Sequence, residues 1–138
     1  MDIFIDTSVI YTDPFWKRNF PGLLLKAARD GRLNIYFADV VLRELRHNFE
    51  KQLDKEFISV GTSNSNVKKL SLNHTDIIVP NKEQYLADFD KYYTDLFQSK
   101  NIIKLHSDKN MFDDILERAV KRKKPFTDNR SEFKDAVI

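Results

Sequence analysis

Within its first sixty residues the chain alternates twice between a short apolar run and a longer amphipathic one, and this alternation narrows the available folds more than any other feature. Met1-Asp2-Ile3-Phe4-Ile5 reads as a buried central strand and Leu33-Asn34-Ile35-Tyr36-Phe37 as a second strand. Between them Pro21 suits a first helical position, Leu23, Leu24, Ala27 and Ala28 make an apolar stripe, and Gly31 closes the helix. Asp39 is placed to cap the next helix, about Val40 to Ile58, which buries Leu42, Leu45, Phe49, Leu53 and Phe57 at spacings of three or four residues. Strand, helix, strand, helix in this order implies a right-handed crossover and a parallel sheet. The expected class is therefore α/β.

Further along, Gly61 to His74 is polar and reads as a connector or a short irregular helix. Asn81 caps a second long helix, whose Tyr85, Leu86, Phe89, Tyr92, Tyr93, Leu96 and Phe97 form a broad aromatic face suited to a core or a subunit interface. Ile102 to Leu105 reads as a short extended segment leading to Ser107 or Asp108 as a cap. A helix from about Lys109 to Arg122 packs through Met111, Phe112, Ile115, Leu116 and Ala119, and a last one, capped by Ser131, buries Phe133, Ala136 and Val137. Of Phe15, Trp16 and Phe20, at least two are expected in the core rather than as platforms for nucleobases.

Several chemistries are excluded by composition. A chain of 138 residues suits one domain with a core that needs no covalent staple. It has no cysteine, hence no disulfide, thiolate metal site or cysteine nucleophile, and His47, His74 and His106 lack the paired spacing of a zinc site. No apolar run reaches membrane-spanning length, and Asp2 and Asp6 stand where a signal peptide would carry cations, so a soluble, cytoplasmic protein without membrane association is expected. The net charge of +2 says less than its distribution. Arg118, Lys121, Arg122, Lys123 and Lys124 fall within seven residues, with Arg130 and Lys134 following, which makes either a solvated helix end or a surface for a polyanion.

The acids carry the functional reading. Asp6 follows the first strand, at the edge of a parallel sheet where ligands bind, and the hydroxyls of Thr7 and Ser8 could fix its rotamer or hold the water of a hard cation. Asp-Thr-Ser after a strand is equally a turn or helix cap. Glu44 sits at the margin of the apolar stripe of its helix, one turn in from a strand's carboxyl end, either pointing at the same crevice or pairing with His47 or Asn48. Asp135 stands within about the first turn of the last helix.

Asp6-Thr7-Ser8, the run Val40-Val41-Leu42-Arg43-Glu44-Leu45 and the late run Phe133-Lys134-Asp135-Ala136-Val137-Ile138 together resemble the PIN-domain nucleases. The stretch from Arg118 to Phe126 is similar to a PIN-like subgroup with a basic loop before the third acid. The resemblance implies a three-layer α/β/α sandwich with a central parallel sheet over residues 1–138 and a metal-dependent phosphodiesterase acting mostly on RNA. By position it assigns Asp6, Glu44 and Asp135 to Mg²⁺ or Mn²⁺ and to catalysis, with Thr7 and Ser8 as hydroxyls beside the ligands. Lys121, Arg122, Lys123, Lys124, Arg130 and Lys134 would hold the RNA backbone. It also implies a toxin or defence setting with an antitoxin as partner, and a homodimer is a further expectation. PIN domains continue beyond the third acid with another strand and a further acidic position, so a truncated form, or a second chain completing the sheet, is expected here. A PIN-like module that grips RNA without cleaving it is the alternative.

Overall fold

The computed structural model describes residues 1–73, 76, 78, 79, 81–106, 115 and 121. In chain order these form β1 (Asp2–Phe4), α1 (Thr7–Ile10), α2 (Asn19–Arg29), β2 (Asn34–Ala38), α3 (Asp39–Lys68), α4 (Lys82–Leu96) and β3 (Ile102–Leu105). The strands pair in parallel in the order β1-β2-β3. The α/β class with a parallel sheet expected from the alternation is therefore observed. The centre, however, is β2, and β1 is an edge strand among the described residues. Side-chain burial follows this order: Ile35 of β2 is fully buried, whereas Ile3, its β1 partner on the same face, is half-buried.

Register separates the two faces of the sheet. Ile3, Ile35 and Ile102 align across the strands, as do Phe4, Tyr36 and Ile103 on the alternate positions. Phe4 and Tyr36 stack at 5.1 Å between ring centroids. On the Ile35 face, Phe37 meets the rings of Trp16, Tyr93 and Phe97. The aromatic face of α4 is thus core, with Phe89, Tyr93 and Leu96 buried. Two of its hydroxyls also reach back to the loop after α1: Tyr92 Oη donates to the Phe15 carbonyl and Tyr93 Oη to that of Pro14, each at 2.8 Å. From the other side, the Asp13 carboxylate accepts the amides of Lys17 and Arg18 at 3.1 and 2.7 Å. Held this way, Trp16 adopts φ 53° and is buried. Gly22 lets the turn close, since a Cβ there would lie 3.2 Å from the Trp16 carbonyl oxygen. Trp16 and Phe15 join the core and Phe20 is 63% exposed, as expected for two of the three.

The helices depart from their sequence limits in two places. α2 starts at Asn19, so Pro21 lies within its first turn, where a missing N–H costs nothing, rather than at its first position. Its buried stripe is Leu24, Leu25 and Ala28, and Leu23 is exposed. Gly31 closes it as expected, with φ 74° and its N–H donated to the Ala28 carbonyl. α3 is the larger correction, because it runs on through the polar stretch from Gly61 to Lys68 that read as a connector. There Thr62 Oγ1 donates to the Ile58 carbonyl and Ser65 Oγ to that of Gly61, so the hydroxyls bond within the helix instead of drawing the backbone out of it. Asn81 caps α4 as expected, accepting the Gln84 amide at 2.9 Å. The helices expected from about Lys109 to Arg122 and after Ser131, and the cap at Ser107 or Asp108, lie outside the described residues, apart from Ile115, which is helical and buried, and Lys121, which lies in a turn rather than in the expected helix.

Burial pushes the Tyr93 phenol above its ordinary value, even though its contact with Trp16 works the other way. Below pH 10 both folded and unfolded chains keep this proton, whereas above it the unfolded chain releases its proton first. Chemical unfolding should therefore show stability falling above pH 10 and a smaller fall in Tyr93→Phe. At neutral pH that variant should lose about 1 kcal/mol with the bond to Pro14.

Candidate functional site

The site begins where β1 ends. Asp6 leaves the strand in an extended conformation and caps α1, its Oδ1 accepting the Ser8 amide at 2.8 Å. Ser8 is exposed and contributes that amide, while Thr7 turns inward and is 3% exposed. The Thr7 hydroxyl donates to Glu44 Oε2 at 2.6 Å. This bond spans 37 residues of sequence and brings Glu44 against the residue next to Asp6. Both acids are half-buried.

The local fold explains why Thr7 and Glu44 meet. β1 and β2 are parallel, so their carboxyl ends lie at one edge, and α1 and α3 start from those ends and pack on each other. In α3, Val41 and Leu45 are the fully buried positions. Glu44 lies on the flank of that stripe, toward Thr7, which is the marginal placement its spacing predicts. Asp135, Arg122, Lys123, Lys124, Arg130 and Lys134 lie outside the described residues, and Lys121 is exposed in a turn.

Among the described residues there is no group of three or more His, Cys, Asp or Glu side chains able to hold a metal. The donor set of Asp6 and Glu44 fits a small hard cation nonetheless. Mg²⁺ is commonly bound through one or two carboxylates, with waters and substrate phosphate completing the shell.

Asp39 does not act as the cap of α3. Ala38 takes the cap position without a side-chain bond, and Asp39 is the first helical residue. Its carboxylate instead ties the end of β2 to β3, meeting Lys104 Nζ at 2.9 Å and His106 Nδ1 at 3.2 Å. Burial opposes ionisation of Asp39, but the hydrogen bonds and charges of Lys104 and His106 outweigh it and hold the carboxyl below its ordinary value. His106 is thus a surface side chain with a structural partner, and His47 is also exposed. Arg43 and Lys104 were not singled out by sequence. The available signal was a lysine inside the apolar run from Ile102 to Leu105 and an arginine adjoining Glu44.

A sequence-family model described as PIN domain matches residues 3–138, and the chain belongs to that family, whose members are generally nucleases. No curated protein and no solved structure matches it. No helix among the described residues is long and apolar enough to cross a membrane.

The two uses of Asp6 separate in equilibrium unfolding without metal. Asp6→Ala should cost about 1 kcal/mol by loss of the cap, and Asp6→Asn no more than a few tenths, because an amide oxygen can still accept from Ser8. Thr7→Val keeps the shape of the side chain but removes the donor to Glu44, and should cost roughly 1.5 kcal/mol or more.

Proposed function

We propose that this PIN domain is a metal-dependent phosphodiesterase that cleaves RNA, with Asp6, Glu44 and Asp135 as the residues that hold Mg²⁺ or Mn²⁺. The observation that supports this best is the Thr7–Glu44 hydrogen bond, which ties an acid of α3 to the residue that follows Asp6, at the carboxyl edge of a parallel sheet. At such an edge, diverging loops leave room for a ligand.

The chemistry a bound divalent cation supplies is neutralisation of charge on the phosphate and a more acidic water for in-line attack. The protein's own part is orientation. Thr7 fixes the Glu44 rotamer from a buried position, and the Ser8 amide fixes that of Asp6, so the two carboxylates need little reorganisation to serve as oxygen donors. Lys121, Arg122, Lys123, Lys124, Arg130 and Lys134 grip the backbone in this reading, making binding salt-dependent and largely blind to sequence.

Incubation with labelled single-stranded RNA should give cleavage that requires Mn²⁺ or Mg²⁺ and stops with chelator. Glu44→Gln should slow it by about 100-fold or more. Mn²⁺ should also raise the melting temperature of the wild type but not that of Glu44→Gln, a readout independent of turnover. Binding of RNA with no metal-dependent cleavage would identify a non-catalytic RNA-binding module instead.

A further inference from the structure

On the opposite flank of α3 from Glu44 lies an open groove of about 360 Å³ lined by residues of α3, α4 and β3 and by Phe97. This is within the range of small-ligand sites. Its floor is apolar, with Phe89 and Tyr93 buried and Leu42 and Phe97 half-buried. Its charged lining comprises Arg43, Arg46 and Lys104 against Asp39 and Asp90, one cation in excess.

The excess sits on Arg43. Arg46 is held by a two-pronged bond to Asp90, Nε at 2.8 Å and Nη2 at 3.0 Å, and Lys104 is held by Asp39 at 2.9 Å. These acids orient the two cations without exhausting them: Arg46 Nη1 is not used in the fork, and the Lys104 ammonium has donors beyond the one Asp39 takes. Arg43 makes no hydrogen bond or ion pair with any described residue, and it is exposed.

Arg43 and Glu44 are consecutive on α3, so their side chains leave the helix about 100° apart. The same turn that presents Glu44 to Thr7 therefore presents Arg43 to this groove. We propose that the groove is a nucleotide subsite of the RNA strand, in which Arg43 takes a backbone phosphate, supported by the donors of Arg46 and Lys104, and the apolar floor takes the attached base. The proposal rests on the RNA-cleaving reading above, since it concerns the strand that reacts at Asp6 and Glu44. A planar guanidinium suits a phosphate better than an ammonium does, and an apolar floor with no dedicated base donors accepts any base.

The test is fluorescence anisotropy of labelled single-stranded RNA with the full chain in chelator, across a salt series. Arg43→Ala should weaken binding by about 5-fold and reduce the salt slope by about 0.7, the value for one phosphate contact on a single strand. Arg43→Lys should recover the slope and only part of the affinity. Lys69→Ala, at the far end of α3, should have a smaller effect on both than Arg43→Ala. Equal affinity and slope for Arg43→Ala and wild type overturn the subsite, as does absence of RNA binding by the wild type. Failure of the nuclease reading shows separately, as binding that depends on Arg43 without any metal-dependent cleavage.

Discussion

The bond from the buried Thr7 hydroxyl to Glu44 is the constraint on which the candidate site depends. A carboxylate on the first turns of a helix has many rotamers open to it, and most of them lead to solvent. Thr7 selects one, and it can do so because α1 begins immediately after β1 and packs on α3. The same short helix places Asp6 at its cap, so a single turn of chain positions both acids. A charged group accepting a hydrogen bond from a neutral one inside a half-buried crevice is a stronger tie than an exposed ion pair.

Around that turn, rigidity comes from aromatic packing. The loop following α1 is pinned from α4 by the Tyr92 and Tyr93 hydroxyls, and its Phe15 ring packs edge-on against Phe49, Phe89 and Tyr92. Because Phe49 belongs to α3 and Phe89 to α4, the loop, both helices and the central strand share one cluster. The Arg46–Asp90 fork and the contacts of Lys82 with Glu50 and Asp54 then set the lateral relation of α3 and α4. Displacing α4 would thus disturb both the loop beyond α1 and the groove that Arg43 faces.

The acids illustrate two kinds of constraint. Asp39 and Glu44 lie five residues apart on one helix, yet Asp39 is engaged by Lys104 and His106 and closes the sheet edge, while Glu44 joins Thr7. Both are acids near the end of a strand, so residue type could not distinguish them. Their angular position on α3 does, because one flank faces β3 and the other α1.

Sequence pattern determined the parallel α/β class, the extent of β2 to within a residue, the Asn81 cap and an apolar α4 face that had to be covered, by core or by a subunit. It could do so because those features depend on which face of a local element is apolar, and that is written in neighbouring residues. It also placed Glu44 on the margin of its stripe. Three things were decided only by the structure: that β2 is the middle of the three strands among the described residues, that α3 continues through a serine- and asparagine-rich stretch, and that Asp39 pairs with β3 instead of capping its helix. The first and the last depend on a partner distant in the chain, whereas the continuation of α3 rests on hydroxyl bonds to carbonyls one turn back. Strand order follows from which neighbours cover an apolar run, and the fate of a carboxylate follows from which cation the fold brings to it. Local pattern carries no record of either.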